Sequence, residues 1–271
     1  MPTPHDAKAK AAATYNAAAD RYDDHANSFW ARFGRKTVER LNLSQGFRVL
    51  DVCCGSGASA IPAAKNVGPE GSVIAVDLAE HLLQLARQKA ANEDLHNIEF
   101  RCGDMLELGF ADSEFDVVVC VFGIFFVPDM TSAVSELWRM VRPGGKLALT
   151  TWGPNFFEPA STVFWNSIRE VRPDLYKSFN PWDRICDPAS LNDLLRSGGA
   201  EFVETHAESG THELAAPEAW WAAVLGSGYR GTLDQLDETD REHVRRVNMN
   251  YIRESGITSV EANAVYGLAR K

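Results

Sequence analysis

The chain of 271 residues has few cysteines, no long apolar run and no excess of positive charge. Its five cysteines are scattered apart from the adjacent Cys53 and Cys54, and they lack a zinc-type spacing, so no metal site is expected. No stretch approaches the roughly 18 apolar residues of a transmembrane helix, and the N-terminus lacks the apolar core of a secretory signal. Reduced thiols, a cytoplasmic location and no membrane insertion are the simplest interpretation.

The charge balance argues against a nucleic-acid partner. The formal net charge is −10, whereas phosphate contacts need clustered Lys and Arg. Hydrophobic residues make up 45% of the chain and charged residues 24%, which is typical of an ordinary globular protein with a sizeable core.

Apolar strands alternate with amphipathic helices along most of the chain. Residues 7–24 and 29–43 favour helices before the alternation begins. The predicted strands are residues 47–52, 73–76, 98–101, 115–122, 146–152, 200–206 and 263–270. Val134, Leu137, Trp138 and Val141 recur at the spacing of a core-facing helix. This order predicts an α/β fold in which helices cover both faces of a parallel sheet.

The segment between the last two predicted strands is too long for a hairpin loop. Residues 215–257 favour helices at 218–225 and 237–253. We expect a helical cap over the active site, inserted before the last strand. Exposed aromatic helices also suit an interface in a homodimer, so that alternative stays open.

Three aspartates follow successive predicted strands, one strand–helix unit apart. They are Asp51, Asp77 and Asp104, with spacings of 26 and 27 residues. Ligands of open parallel sheets bind beyond the carboxyl ends of the strands, so these side chains are candidates for one site. Gly55 and Gly57 follow the first strand and allow the backbone a sharp turn close to a ligand.

The glycine loop alone fits two cofactors. The run from Gly55 to Ala60 satisfies G-x-G-x-x-A, and Asp77 falls 20 residues after Gly57, as in dinucleotide sites. An NAD-dependent oxidoreductase is therefore one alternative. However, Asp51 adds negative charge at the strand end, which suits a sulfonium and an ammonium group and disfavours a pyrophosphate.

A family resemblance supports a ligand that carries a sulfonium and an ammonium group. The run VLDVCCGSG at residues 49–57 resembles the first motif of class I S-adenosylmethionine (SAM)-dependent methyltransferases. The runs VIAVD at 73–77, CGDM at 102–105, FDVVV at 115–119 and VRPGGKL at 141–147 follow in the family's order. The chain looks closest to the ubiquinone- and menaquinone-type branch. The resemblance implies a seven-stranded Rossmann-like sheet over residues 45–214 and 258–271, with residues 1–44 covering the cofactor.

The resemblance also implies roles for individual residues. Asp77 would accept both ribose hydroxyls, and Asp104 the adenine amino group. Asp51 would organise the loop and help to bind the α-ammonium group. The full expected cofactor set is Asp51, Cys53, Gly55, Gly57, Asp77, Leu78, Asp104, Met105 and Val121. Cys53 stands where the family usually has glycine, which suggests an ordinary backbone φ at that position.

The molecule that accepts the methyl group is less well defined by the sequence. The family places the transferred methyl group near the exit of the fourth strand, and aromatic residues are frequent around the expected opening. Phe125, Phe126, Trp152 and Trp221 are the expected acceptor-binding residues, although each could equally be core. They favour a small apolar or aromatic metabolite of quinone, isoprenoid or secondary-metabolite type.

No catalytic base stands out in the sequence. Tyr22, His25 and His206 are candidates, and a lone histidine is more often a surface or packed residue. The expected activity is methyl transfer from SAM to a small molecule. A SAM-binding protein without transfer activity is the non-enzyme alternative.

Overall fold

A computed structural model describes the backbone of residues 4–271 and the side chains from residue 8 onward. Its main feature is a seven-stranded mixed sheet in the order β3-β2-β1-β4-β5-β9-β6. The strands are β1 (Arg48–Val52), β2 (Ser72–Asp77), β3 (Ile98–Cys102), β4 (Phe115–Val121), β5 (Val141–Trp152), β6 (Phe202–Glu208), β7 (Thr211–Glu213), β8 (Ser259–Glu261) and β9 (Ala264–Arg270). The short β7 and β8 pair with each other outside the main sheet.

The central strands are apolar because both of their faces are covered. Val49, Leu50 and Val52 of β1 are fully buried, as expected for a strand between two helical layers. In the seven-stranded sheet, β9 runs opposite to the other strands and pairs antiparallel with β5 and β6. The strand order reverses between β1 and β4, and this reversal opens a crevice at their carboxyl ends.

In the part of the chain that the structure describes, ten α-helices connect and cover the strands. They are α1 (Pro4–Tyr22), α2 (Phe29–Leu41), α3 (Ala60–Val67), α4 (Glu80–Asn92), α5 (Met130–Met140), α6 (Ala160–Val171), α7 (Pro188–Ser197), α8 (Pro217–Leu225), α9 (Arg230–Leu233) and α10 (Glu238–Glu254). Within the described residues, none of these helices is both long and apolar enough to cross a membrane.

Local signals explain several helix ends. Asp187 caps α7 by accepting hydrogen bonds from the backbone N–H groups of Ala189 and Ser190, and Pro188 takes the first helical position. Gly198 follows the last helical residue, Ser197. The sequence predicts a strand that starts at residue 146, because Pro143 and Gly144 favour a turn. In the structure β5 begins earlier, at Val141.

An aromatic cluster joins α2 to the sheet. Phe29, Trp30 and Phe33 of α2 contact Trp152 at the end of β5, with ring centroids 5.7–5.9 Å apart. Trp152 also stacks on Phe122, with centroids 4.0 Å apart and planes 10° apart. The cluster fixes α2, and therefore the chain that leads into it, at the carboxyl end of the sheet.

The helical segment 215–257 lies between β7 and β8. In α8, Trp220 is fully buried and donates from Nε1 to Asn248 Oδ1 of α10 at 3.0 Å, whereas Trp221 is half-buried. Asn248 in turn donates to Ser167 Oγ of α6 at 3.1 Å. At the start of α9, Arg230 pairs with Asp20 of α1 at 3.3 Å. The segment therefore packs on α6 and on the first helix.

Candidate functional site

The loop after β1 turns sharply through three residues whose backbone is in the left-handed conformation. Cys53, Gly55 and Gly57 have φ values of +60°, +54° and +86°. The expectation of an ordinary φ at Cys53 is therefore wrong. The turn imposes the left-handed conformation that glycine adopts freely, and cysteine occupies it at a cost in strain.

Gly55 is required by a close approach as well as by its φ. A Cβ at this position would lie 3.1 Å from the hydroxyl oxygen of Tyr22. Tyr22, at the end of α1, is buried and stacks on Trp30, with centroids 5.0 Å and planes 4° apart. The N-terminal helix thus rests directly on the glycine loop.

Asp77, at the end of β2, holds this loop. Its Oδ2 accepts a hydrogen bond from the N–H of Gly55 and its Oδ1 one from the N–H of Ala79, both at 2.8 Å. Burial raises the pKa of the carboxyl above its usual value, and the backbone donors partly offset that effect. Asp77 also lines the cavity described below.

Asp51 lies behind the loop. It is fully buried, and its Oδ2 accepts from Ser59 Oγ at 2.7 Å. Its Oδ1 has no hydrogen-bond partner among the described residues. Burial raises the pKa of Asp51 to about 7, against the opposing bond from Ser59. Ser59 lines the cavity and Asp51 is not among the lining residues described, so Asp51 acts on a ligand only through this hydroxyl or through its field.

Asp104 and Met105 follow β3 and form another wall. Asp104 Oδ1 accepts from the N–H of Leu106 at 3.0 Å, and Oδ2 lies 2.6 Å from Nζ of Lys8 on α1. Met105 is buried, and its Sδ lies 3.9 Å from Sγ of Cys53.

These elements enclose a cavity of about 340 Å³ at the carboxyl ends of β1, β2, β3 and β4. Among the expected site residues, those that line it are Tyr22, Cys53, Gly55, Asp77, Leu78, Asp104, Met105, Val121 and Phe126. Four strand ends that are far apart in sequence therefore meet at one site.

The cavity also has walls that the sequence analysis did not assign. They include Lys8, Tyr15, Trp30, Ser59, Leu106, Phe122, Val127 and Pro128. Small side chains at Ala11 and Ala12 let α1 lie close over the opening. The alanine-rich composition of α1 was a usable signal for that approach, whereas nothing in the sequence pairs Lys8 with Asp104.

Other expected residues lie elsewhere. Those outside the described cavity lining are Gly57, Phe125, Trp152, Trp221, His25 and His206. Trp152 and Phe125 are buried in the core, and His25 and His206 are exposed. His206 borders a second, shallower depression over β6 and β9, away from the three aspartates. The structure therefore does not bring the candidate histidines to the glycine loop.

Comparison with known proteins agrees with this geometry. A family model described as a methyltransferase domain matches residues 49–145. A demethylmenaquinone methyltransferase of Listeria monocytogenes is 39% identical over 190 residues, which cover 66% of this chain and 80% of the relative. One from Geobacillus stearothermophilus is 36% identical over 197 residues, which cover 68% and 83%.

The chain belongs to the class I SAM-dependent methyltransferases, in the menaquinone-type branch. A solved structure of a putative methyltransferase from Bacillus halodurans shares the fold, with a TM-score of 0.56, 23% identity and coverage of 87% of this chain and 97% of that one. The predicted fold class is confirmed, with β9 as the antiparallel exception to the parallel sheet.

The residues of the cavity fit the cofactor of this methyltransferase. Asp77 is half-buried and offers carboxylate oxygens that two backbone donors hold in place, which suits a diol. Cys53, Cys54 and Gly55 of the glycine loop line the cavity, so a ligand there meets this loop directly. Met105 and Leu106 supply apolar surface beside the Asp104 carboxylate, as a purine ring with an amino group requires.

Proposed function

We propose that this methyltransferase acts on a small aromatic acceptor of quinone type, bound in its reduced hydroquinone form. The observation that carries the proposal is the end of the cavity near β4, where Tyr15, Trp30, Phe122 and Phe126 form an aromatic wall. The relatives named as demethylmenaquinone methyltransferases support the same substrate class. Flat aromatic acceptors bind well between aromatic side chains.

The reduced form follows from the chemistry of the transfer. When bound, SAM supplies an electrophilic methyl group on a sulfonium, whose thioether is the leaving group. A ring carbon must therefore donate an electron pair to the methyl carbon, and the hydroxyl groups of a hydroquinone enrich the ring in electrons. The methylated ring carbon then loses its proton, and aromaticity returns. Alignment of the reactants in a closed site accounts for a large part of such catalysis, about 7–11 kcal/mol in well-oriented systems.

Two tyrosines are placed to orient the acceptor. Tyr15 and Tyr22 line the cavity, with ring centroids 6.3 Å apart and nearly perpendicular planes. Burial raises the pKa of both phenols, so both hydroxyls stay protonated near neutral pH. In the proposed complex they donate hydrogen bonds to the oxygens of the acceptor. Tyr22 is then a binding group, and the proton of the ring leaves through another acceptor such as water.

The N-terminal segment, 1–44, and the helical cap, 215–257, have different parts in this proposal. Residues of α1 line the cavity, and in the proposed complex they lie over the cofactor. No residue of 215–257 is among the cavity-lining residues that the structure describes. The cap instead supports the N-terminal segment. Nε1 of Trp30, a cavity residue, donates a hydrogen bond to the carbonyl of Gly226 at 3.3 Å. Asn27 donates to the carbonyl of Ala222 at 3.2 Å.

The test is methyl transfer from SAM labelled in its methyl group. The panel contains a short-chain naphthohydroquinone that lacks the ring methyl group, the same compound already methylated, and a non-aromatic apolar alcohol. We expect label only in the first compound and only under reducing conditions, with the product identified by mass spectrometry. Tight SAM binding with no label in any aromatic hydroquinone would overturn the acceptor class. Label in the alcohol alone would do the same.

A further inference from the structure

The strand β6 forms one edge of the seven-stranded sheet. It is the last strand in the sheet order, and its seven residues, from Phe202 to Glu208, pair with β9 in an unbroken register. None of these residues is buried. Phe202 is 69% exposed, more than the other exposed large apolar side chains that the structure describes. The outer side of β6 therefore offers a regular row of backbone donors and acceptors to another strand.

Most proteins block such an edge, and β6 lacks the common devices for doing so. Edge strands are usually protected by Pro or Lys, by a bulge, by short length or by a covering element. Residues 202–208 contain neither Pro nor Lys, and their pairing with β9 has no bulge. The two carboxylates of the strand have cations within the chain. Oε1 of Glu204 lies 3.1 Å from Nη2 of Arg270, and Glu208 pairs with Lys36. The charge of the strand itself is therefore largely offset.

The opposite edge strand, β3, is less suited to a partner. It has five residues, so a ladder along it would be shorter. Glu99 of β3 accepts two hydrogen bonds from the guanidinium of Arg101, both at 2.7 Å. The same guanidinium lies over the ring of Phe110, 5.5 Å from its centroid. The charged side chains of β3 are thus already held by their own chain.

Symmetry and charge select one register for two copies of β6. Identical antiparallel edge strands are related by a two-fold axis perpendicular to the sheet, so one residue of the strand lies opposite its own copy. If that residue is Glu204 or His206, carboxylates of the two copies lie opposite each other, which is destabilising. If it is Thr205, each Glu204 lies opposite His206 of the second copy. An imidazole ring always carries an N–H that can donate to a carboxylate.

We propose that β6 of two copies of this chain pair antiparallel, with Thr205 opposite Thr205, and that the chain forms a homodimer with one continuous sheet. In this register all seven residues of the strand have a partner. Val203 lies opposite Ala207, and Phe202 lies diagonal to His206 of the second copy, within reach of an aromatic side chain. One strand pair buries less area than a standard interface, so we expect dissociation at micromolar concentrations. The inference does not depend on which acceptor is methylated, because β6 contributes no described residue to the cofactor cavity.

A charge exchange tests the contact between Glu204 and His206. Sedimentation velocity of the full chain at several concentrations measures dimerisation. His206→Glu places carboxylates opposite each other at both symmetric contacts, and we expect it to weaken dimerisation about tenfold or more. Adding Glu204→Lys to His206→Glu restores opposite charges, and the double variant should dimerise within about threefold of the unmodified chain. His96→Glu is the matched control, since it adds the same charge at an exposed site before β3, and it should have no effect.

A cysteine substitution tests the register. Directly opposite residues of an antiparallel pair have Cα atoms about 4.5–5.5 Å apart, which a disulfide can bridge. Thr205→Cys should therefore form a covalent dimer under mild oxidation. Ala207→Cys is the matched control on the same face of the strand, because residue 207 and its copy would lie more than about 13 Å apart. The unmodified chain, treated in the same way, accounts for the five natural cysteines.

Three results would overturn the proposal. One is a chain that stays monomeric at about 100 µM. Another is a dimer whose affinity His206→Glu leaves unchanged. The third is equal cross-linking of Thr205→Cys and Ala207→Cys. Thermal unfolding checks that each variant is folded, and if Thr205→Cys is not, the charge exchange decides.

Discussion

Lys8 on the first helix forms an ion pair with Asp104 across the mouth of the cofactor cavity, with 2.6 Å between Nζ and Oδ2. Asp104 is the carboxylate that the family resemblance assigns to the adenine amino group. Both Lys8 and Asp104 line the cavity. In the proposed complex the same carboxylate would bind the adenine amino group and hold the helix that lies over the cavity, which would couple the position of α1 to the adenine end of the site.

Loss of this ion pair should speed the release of SAM. Lys8→Met keeps the long side chain and removes the charge, and we expect an affinity about two- to fivefold weaker, since Lys8 is partly exposed. Lys10→Met removes a charge from the exposed face of the same helix and is the control. Stopped-flow measurement of SAM dissociation distinguishes the two variants. Equal rates for both, or a difference that survives high salt, would exclude the ion pair as the cause.

Asp77 should contribute to cofactor binding through the ribose as well as through the loop. Asp77→Asn is expected to weaken SAM binding at least about tenfold, because hydrogen bonds to a charged group contribute about 1.5–3 kcal/mol each. Calorimetric titration with a 2′-deoxyribose analogue separates the two roles. The loss should be smaller for the analogue if Asp77 binds the hydroxyl, and equal for both ligands if Asp77 only shapes the Gly55 turn. Asp94→Asn, at an exposed site, should leave both affinities unchanged.

The buried carboxyl of Asp51 should make stability depend on pH. Its pKa is raised to about 7 in the folded chain from an ordinary value of 3.8, so folding favours the protonated form. Its contribution to the free energy of unfolding is full below about pH 4 and is lost as pH rises towards about 7. One pKa unit corresponds to about 1.4 kcal/mol, so the difference approaches about 4 kcal/mol.

Asp51→Asn isolates this effect, since all other titrating groups are common to both chains. The free energy of unfolding of the unmodified chain, relative to Asp51→Asn, should fall between about pH 4 and about pH 8 in the absence of SAM. Denaturant unfolding at several pH values measures it. A relative stability that rises over this interval would mean that Asp51 is ionised and paired in the folded chain.

The sheet could be predicted because buried strands leave a strong local signal. The apolar runs that contain Leu50 and Val118 lie between helices in the structure, as their composition requires. The antiparallel direction of β9 has no such signal, because the apolar pattern of a strand does not depend on the direction in which the strand runs. In the structure β9 pairs antiparallel with β6, and β7 and β8, which follow β6 and precede β9 in the chain, also pair antiparallel.

The sequence predicts those site residues whose position follows from their place at the end of a parallel strand. Asp77 and Asp104 meet at the cavity because parallel strands share a carboxyl edge. Trp152 and His206 could not be placed, since a side chain near an opening can point to either side of the sheet. Trp152 points into the core, and His206 lies at the far edge on β6. The contact of Lys8 depends on how α1 crosses the sheet, which no local pattern specifies.

Backbone strain at Cys53 can be measured by comparing two substitutions that both remove the thiol and differ only in the Cβ atom. Cys53→Gly and Cys53→Ala both remove the sulfur, and they differ in the Cβ that a φ of +60° disfavours. We expect the glycine variant to be more stable by about 1 kcal/mol, the reverse of the usual order in a helix. Thermal or denaturant unfolding of the two variants gives the difference. A more stable alanine variant would contradict the left-handed conformation.

Trp30 is the residue through which the cap should influence methyl transfer. It lines the cavity, stacks on Tyr22, and donates from Nε1 to the carbonyl of Gly226 at the end of α8. Trp220 is buried within the cap and Trp221 is half-buried, and neither is among the described residues that line the cavity. An effect of the cap on the acceptor therefore has to pass through the N-terminal helices.

Trp30→Phe keeps an aromatic ring and removes the N–H, which leaves the Gly226 carbonyl without this donor. We expect the acceptor's KM to rise about fivefold or more, because a lost buried hydrogen bond costs about 1–3 kcal/mol, while the affinity for SAM changes less. Trp221→Phe is the matched control and should keep the kinetics of the unmodified chain. If instead Trp221→Phe raises KM and Trp30→Phe does not, the cap contacts the acceptor itself. If both variants keep normal kinetics and Trp221→Phe alone dissociates a dimer in sedimentation, residues 215–257 serve as an interface between copies.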